Sequence, residues 1–261
     1  MAITGAYVVV DGTKTYYETN NGPHNPNGTI IAMHTAGRES RQYHGIMELW
    51  ANKYNVIAFD MPAHGKSWPL PGNVGIKDHS EYAKFVWDFI QALGITDIVY
   101  EIAAKYPVKA AVACQASPYI KAMGTSYGAA VNLLDNPYVS CQHSHWDFTD
   151  SLCGTKCPPE IHEFIMWGVC QECGRAKQAD LAIYNNFDVR EELKNITCPV
   201  LLVRGEDDWN VPEHYYDTAM QYLTNAKKLE FLKVPGYGHF IVVEAPEIIC
   251  TEVDRFLTEA Q

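Results

Sequence analysis

The chain has 261 residues, of which 47% are hydrophobic and 20% are charged, so it can form a packed core and is too long for a small disulfide-stapled domain. Thirty-one Asp and Glu residues outnumber 20 Lys and Arg residues, which gives a formal net charge of -11. This negative charge would repel nucleic acid and an anionic membrane face, and we expect neither as a partner.

The sequence also gives expectations about the compartment. No apolar run approaches the roughly 18 residues that a membrane span requires. The first apolar run has no basic region before it and soon meets Asp11-Gly12, which predicts a strand rather than a signal peptide. The eight Cys residues are scattered, as is typical of reduced thiols in a large intracellular domain. We therefore expect a cytoplasmic protein that is a monomer or a homodimer.

The first part of the chain alternates predicted strands and helices. Asp11 and Gly12 separate two β-rich runs, which is a strong signal for an antiparallel hairpin. Ser80 can cap a helix whose apolar side chains repeat at i, i+3 and i+4 until Gly94 ends it. The strands predicted here cover residues 6–10, 13–19, 29–34 and 55–60, and a further helix covers residues 41–53.

The alternation continues with strands predicted at residues 97–100, 109–116, 200–205 and 229–234. Pro212 and Pro246 each open a helix after the last two strands. Together these elements predict an α/β fold with a mostly parallel sheet, an N-terminal antiparallel hairpin and helices on both faces. Residues 117–195 break the pattern, and we interpret them as a helical cap inserted into a core of residues 1–116 and 196–261.

Four loops that follow predicted strands carry most of the reactive side chains, as expected for the carboxyl ends of strands in a doubly wound sheet. Their sequences are H-T-A-G at 34–37, D-M-P-A-H-G-K-S at 60–67, G-E-D-D-W-N-V-P at 205–212 and G-Y-G-H-F at 236–240.

These runs resemble the α/β-hydrolase family, above all in D-x-P-x-H-G-x-S, G-x-x-D-x-x-V-P and the late G-H pair. The resemblance extends from about residue 6 to residue 257 and implies a serine hydrolase with a cap insertion. It implies that Asp208 is the acid of a catalytic triad and that His239 is the general base. It also implies that the backbone N–H of Ala36 contributes to an oxyanion hole.

The chemistry of these residue types agrees with that assignment. A histidine on a glycine-flanked loop can place its imidazole over the sheet edge, and a carboxylate after the preceding strand can fix its tautomer. The order of Asp208 before His239 is the order that this fold requires. Asp207 is the adjacent alternative acid, and His64 is interpreted as structural because its run makes a tight turn after a strand.

The nucleophile is missing from its expected place. In the family, the serine lies in a G-x-S-x-G elbow between the fifth strand and the next helix, and this sequence has no such elbow there. Tyr100 runs directly into Glu101, and the few residues from there to Pro107 are fewer than the dozen or more that a parallel crossover takes. Relative to the family, on the order of ten residues are absent between Tyr100 and Glu101. We expect a rearranged and destabilised sheet around Tyr100, and no ordinary serine-hydrolase activity without that segment.

Two other candidate nucleophiles are less favoured. G-T-S-Y-G at 124–128 matches the elbow, but no predicted strand leads straight into it, because Ser117-Pro118 ends the preceding strand. Ser126 is therefore interpreted as lining the entry to the cap. Cys114 is interpreted as a small apolar core residue rather than a reactive thiolate.

Two cysteine pairs invite a zinc interpretation, because four thiolates can close a tetrahedral site. The pairs are Cys153 with Cys157 and Cys170 with Cys173. Their spacing is imperfect, and one helix over residues 159–177 would make the second pair equally good packing residues. We predict no metal site. No organic cofactor is predicted either, because neither G-x-G-x-x-G nor G-x-x-x-x-G-K-[ST] occurs.

The aromatic side chains of the cap and the loops predict a pocket for a small apolar or aromatic substrate. The alternative is that they fill the core between cap and sheet. The predicted pocket residues are His34, Trp146, Trp209 and Phe240, while His143 and His145 are interpreted as solvent-facing or pocket-lining. Two functions remain open at this point. One is a hydrolase that cleaves an ester, a lactone or an activated carbon-carbon bond, and the other is a catalytically inactive small-molecule-binding protein of the same fold.

Overall fold

The computed structural model describes residues 2–20, 28–72, 74–95, 104–106, 108–120, 141–171, 173–184 and 187–260. The strand predicted at residues 97–100, the junction of Tyr100 with Glu101 and the G-T-S-Y-G run with Ser126 lie outside the described residues. So do the side chains of His143 and His145.

The N-terminal part forms a four-stranded sheet in the order β1-β2-β4-β3. Its strands are β1 (Thr4–Val10), β2 (Thr13–Thr19), β3 (Thr29–Met33) and β4 (Asn55–Phe59). Asp11 and Gly12 both take positive φ angles, +46° and +77°, as a tight hairpin turn requires, and the predicted antiparallel hairpin is confirmed. β2 pairs with β4 antiparallel and β3 pairs with β4 parallel, so the sheet becomes parallel after the hairpin.

The C-terminal part forms a parallel three-stranded sheet in the order β5-β6-β7. Its strands are β5 (Ala111–Cys114), β6 (Val200–Gly205) and β7 (Leu229–Val234). β6 and β7 have the predicted bounds, and every residue of β6 is buried. β5 is shorter than predicted because Gln115 takes a φ of +53°, which ends the extended backbone.

The two sheets share one hydrophobic core, although the described strands β3 and β5 are not paired with each other. Ala32 and Ala58 of the first sheet cluster with Leu201 and Val203 of the second. The same cluster includes apolar side chains of the first and last helices of the α/β core, among them Met47. Both parts of the core are therefore packed as one body.

The helices follow the predicted alternation. They are α1 (His44–Leu49), which a 3-10 turn (Ser40–Tyr43) precedes, α2 (His79–Ala92), α3 (Cys141–Asp150), α4 (Pro159–Cys170), α5 (Gly174–Tyr184), α6 (Arg190–Leu193), α7 (Glu213–Tyr222), α8 (Ile241–Glu244) and α9 (Pro246–Glu259). Helices α3 to α6 lie within the segment predicted as a cap. In the part of the chain that the structure describes, no helix is long and apolar enough to cross a bilayer.

Three helices differ from the prediction. The helix predicted over residues 41–53 is a 3-10 turn followed by α1, which ends at Leu49. Asp78, not Ser80, caps α2, because the Asp78 carboxylate accepts the backbone N–H groups of Ser80 and Glu81 at 2.8 and 2.9 Å. The helix predicted over residues 159–177 is two helices, and Cys173 lies in the connection between α4 and α5. Cys170 and Cys173 therefore do not share the face of one helix.

Candidate active site

Asp208 and His239 meet where β6 and β7 end. His239 Nδ1 lies 2.9 Å from Asp208 Oδ2. The Asp208 side chain is fully buried, and its other oxygen accepts the backbone N–H groups of Asn210 and Val211 at 2.8 and 3.3 Å. With the Nδ1 proton donated to the carboxylate, the Nε2 atom of His239 is the one available as a base.

The loop after β6 holds Asp208 rigidly. The buried Arg204 guanidinium donates to the carbonyl oxygens of Asp208 and Val211 at 3.0 and 3.3 Å. Gly205 allows the loop after β7 to approach closely, since a Cβ there would lie 2.4 Å from the carbonyl oxygens of Tyr237 and Gly238. The two loops that carry the acid and the base are thus packed against each other by backbone contact.

Glu244 organises the loop around His239 through three backbone hydrogen bonds. Its carboxylate accepts the N–H groups of Gly154 and Gly238 at 2.9 Å and that of Phe240 at 3.0 Å. The side chain is buried, which raises the pKa of the Glu244 carboxyl, and the three amide donors oppose that shift. Because two of the donors flank His239, this carboxyl fixes the backbone that presents the imidazole.

Replacing Glu244 with Gln is expected to destabilise the protein by about 2 kcal/mol, because the amide offers one acceptor oxygen and turns its own N–H groups toward backbone donors. Urea unfolding would measure the change. The exposed Glu247, on the next helix, supplies the control, and Glu247→Gln should stay within about 0.5 kcal/mol of the wild type. Equal stabilities for the two variants would contradict this role.

Gln115 supports the same loop from the end of β5. Its buried carboxamide donates from Nε2 to the carbonyl oxygen of Gly238 at 2.7 Å and accepts from the hydroxyl of Tyr216 at 2.8 Å. The residue immediately before His239 is thereby tied to a neighbouring strand and, through Tyr216, to α7.

The loop after β3 carries a backbone N–H group without a partner among the described residues. Ala36 is exposed, and no described residue accepts a hydrogen bond from its backbone N–H. The next N–H, of Gly37, is taken by the carboxylate of Asp180 on α5 at 3.1 Å. Arg38 donates to the carbonyl oxygen of Ile165 on α4 at 2.7 Å. The loop is therefore anchored to α4 and α5 and keeps the Ala36 N–H available.

His34 and His64 form a buried cluster below this loop. The Nε2 atom of His34 accepts the backbone N–H of Met61 at 3.0 Å, and the two imidazole rings lie 4.8 Å apart. Burial, reinforced by the nearby His64, lowers the pKa of His34 to about 3, which keeps its ring neutral. The Nε2 atom of His64 lies 2.9 Å from Asp180 Oδ2, so this cluster also connects the core to α5.

Replacing Asp180 with Ala is expected to destabilise the protein by about 3 kcal/mol. The change removes the carboxylate that the buried His64 Nε2 contacts, and it leaves the Gly37 N–H unpaired. Gly37 N–H and His64 Nε2 both contact Oδ2 of Asp180, and Asp180→Asn can keep its one carboxamide oxygen at that position, so it should recover at least half of that loss. Chemical denaturation of both variants tests this link between the loop after β3 and α5. An alanine variant as stable as the wild type would refute it.

A cavity lies beside His239 of the Asp208–His239 pair. Its lining includes His239, Ala36, Trp209 and Phe240 together with residues of β3 and β5. His34 also contributes to the lining. Three of the predicted pocket residues and His239 therefore border one space, while Asp208 lies buried behind His239.

Trp146 is placed elsewhere. It does not line this cavity, and its ring packs edge-on against Trp167 at 5.9 Å. Trp167 is 55% exposed, so the pair lies toward the outer surface of α3 and α4.

Three of the described cysteines are buried or half-buried and have protonated thiols. Burial raises the pKa values of Cys114, Cys153 and Cys157 to about 12, so these thiols stay protonated and are poor nucleophiles. No group of three or more His, Cys, Asp or Glu side chains in the described ranges is arranged to hold a metal ion.

Comparison with known proteins identifies the fold. No protein-family model matches the sequence, and no curated protein matches it. An enol-lactonase from Burkholderia xenovorans LB400 superposes with a TM-score of 0.83 at 15% identity, covering 97% of this chain and 100% of that chain. An esterase from Rhodococcus sp. ECU1013 gives a TM-score of 0.77 at 21% identity with full coverage of both chains.

An α/β hydrolase enzyme from a deep-sea metagenome library of the Medee basin gives a TM-score of 0.79 at 16% identity, covering 98% of each chain. The chain therefore has the α/β-hydrolase fold, as the sequence predicts. At these identities the likeness establishes the fold and leaves the activity to be argued from the site.

Proposed function

We propose that the chain is a hydrolase that cleaves an ester, a lactone or an activated carbon-carbon bond, with His239 as general base and Asp208 as the acid that orients it. The observation that carries the proposal is the 2.9 Å contact of Nδ1 of His239, which lines the cavity, with the fully buried carboxylate of Asp208. His64 also has a buried carboxylate partner, but of these two histidines only His239 lines the cavity.

In the proposed mechanism, His239 Nε2 takes the proton of an oxygen nucleophile as that oxygen attacks the substrate carbonyl carbon. Asp208 stabilises the imidazolium that forms, and the Ala36 N–H donates to the developing oxyanion. The imidazolium then returns the proton to the leaving group. A second cycle, in which His239 deprotonates water, releases the acyl group as an acid. The usual elbow is absent between Tyr100 and Glu101, so in this chain Ser126 of the G-T-S-Y-G run, outside the described residues, is the candidate nucleophile to be tested.

The proposed substrate is small and apolar or aromatic. Phe148, Trp209 and Phe240 border the cavity, and such side chains bind apolar ligands by excluding water. We propose that helices α3 to α6 act as the cap over this site. We also propose a cytoplasmic monomer or homodimer, which the free thiols of the described cysteines support.

A second candidate function is a small-molecule-binding protein without catalysis. The observation that favours it is the sequence itself, in which Tyr100 runs into Glu101 without a nucleophile elbow. Such a protein would keep the cavity, the acid and the histidine but would have no serine to acylate.

Labelling with a fluorophosphonate, read by intact mass, separates the two functions. The hydrolase predicts one covalent adduct that disappears in His239→Ala, and peptide mapping would then identify the nucleophile. Loss of the adduct in Ser126→Ala would assign it to the G-T-S-Y-G run. A folded protein that forms no adduct and hydrolyses no ester would overturn the hydrolase proposal and favour the binding protein.

A further inference from the structure

Asn210 is an unpartnered polar side chain in the wall of the cavity. It is only 6% exposed, and its carbonyl oxygen is buried without a hydrogen-bond partner. In the described part of the chain, no residue pairs with its amide nitrogen either. A buried carbonyl oxygen without a hydrogen-bond partner costs folding free energy, and each such group in a native protein requires an explanation.

The position of Asn210 relative to the candidate catalytic pair is fixed. Its backbone N–H donates to Asp208 Oδ1 at 2.8 Å, and the other oxygen of the same carboxylate binds His239. Asn210 and His239 both line the cavity. A ligand group that binds the carboxamide is therefore held on the same loop that carries the acid and close to the base.

The surroundings of Asn210 select the chemistry of that ligand. Trp209 is half exposed, its indole nitrogen is occupied by the carbonyl oxygen of Ser151 at 2.9 Å, and its ring packs edge-on against Phe148. Leu152 lines the same cavity. These neighbours favour an apolar ligand body. The negative charge of Asp208 lies two residues away and disfavours an anionic group.

We propose that Asn210 determines specificity by forming a hydrogen bond with an uncharged hydroxyl or carbonyl group on an otherwise apolar or aromatic substrate. The role in substrate recognition rests on the proposed function, but the binding itself does not require turnover. A carboxamide suits this task because it offers a donor and an acceptor without a net charge. The unpaired carbonyl oxygen of Asn210 then lowers the stability of the ligand-free protein, and it gains a hydrogen-bond partner when the ligand binds.

Benzyl alcohol and toluene are matched probes, since they differ by one hydroxyl group on the same aromatic body. Their dissociation constants for the full chain and for Asn210→Leu can be measured by ligand-observed NMR. We expect the variant to bind benzyl alcohol about fivefold more weakly and toluene no more weakly than the wild type. Asn210→Leu should also raise Tm, because it removes an unsatisfied polar group. Asn195→Leu, at an exposed asparagine outside the cavity lining, is the control and should change neither affinity.

Asn210→Ala provides a second variant if the leucine variant does not fold, with the same selective loss expected. Equal losses for both probes, unchanged binding of benzyl alcohol, or no binding of benzyl alcohol to the wild type would each overturn the proposal. If only the affinity for benzyl alcohol falls and the protein hydrolyses no ester, the proposed role of Asn210 is supported and the hydrolase proposal alone is overturned. If the protein hydrolyses esters and both affinities fall equally, the proposed role of Asn210 alone is overturned.

Discussion

Replacing Asp208 with Asn is expected to lower kcat for ester hydrolysis by about 10³-fold to 10⁴-fold with little change in KM. The Asn carboxamide can still accept the N–H groups of Asn210 and Val211 through its oxygen, so the loop after β6 should keep its shape. Its NH₂ group, however, would face His239 Nδ1, and the imidazole would carry its proton on Nε2. A histidine in that tautomer cannot accept a proton from the nucleophile.

Asp207 provides the matched control, because it is the adjacent carboxylate and was the alternative acid in the sequence. It accepts the N–H and the hydroxyl of Thr155 at 2.8 and 2.6 Å, and it makes no contact with His239 in the described structure. Asp207→Asn should therefore change kcat by less than about threefold. Similar losses in both variants would show that the effect of Asp208→Asn is structural, and an unchanged kcat in Asp208→Asn would remove Asp208 from the mechanism.

The second large effect concerns acid stability. The pKa of His34 is about 3 in the folded chain, because the ring is buried, against 6.5 for an exposed histidine. Between these values the unfolded state binds more protons than the folded state, so the free energy of unfolding falls as the pH falls. The contribution of His34 is complete above about pH 6.5, is lost as the pH drops toward 3, and amounts to as much as about 5 kcal/mol.

His34→Gln tests this dependence, because its carboxamide oxygen can accept the Met61 N–H in place of Nε2 but does not titrate. Urea unfolding between pH 7 and pH 4 should show a slope that is shallower than that of the wild type by as much as about 1.4 kcal/mol per pH unit. His162→Gln, at a side chain 38% exposed, should retain the wild-type slope. The same slope in His34→Gln and in the wild type would show that His34 is not the group that sensitises the fold to acid.

Much of the candidate site could be predicted from the sequence because it depends on local patterns. The G-x-x-D-x-x-V-P and G-H runs follow strands with a clear apolar pattern, and parallel strands bring their carboxyl ends to one sheet edge. Asp208 and His239 therefore had to lie near each other once β6 and β7 were recognised. The hairpin at Asp11-Gly12 is equally local, since its turn type requires positive φ angles at both residues.

The supporting residues depend on tertiary contacts that no local pattern indicates. Asp180 reaches the loop after β3 across more than a hundred residues of sequence, and nothing in its helix distinguishes it from a solvated acid. Glu244 gave a weak signal, because it is a carboxylate at the end of the apolar run I-V-V-E directly after His239 and Phe240. Gln115 gave a second weak signal, because it is a polar residue at the end of an apolar strand. Neither signal predicts that these side chains bind the backbone beside His239.

The position of Trp146 in the structure could not be predicted from residue type. Its aromatic ring was predicted to line the pocket with Trp209 and Phe240, but side-chain direction on α3 turns it toward Trp167. This contact depends on the packing of α3 on α4, which residue type alone does not predict.

Hydrolysis of 4-nitrophenyl butyrate by the wild-type chain and by His239→Ala, with both proteins shown to be folded, tests the catalytic pair directly. We expect the wild type to hydrolyse the ester at least about 10³ times faster, because His239→Ala lacks a base at the wall of the cavity. Equal rates in the two proteins would contradict the central claim that Asp208 and His239 form a catalytic pair.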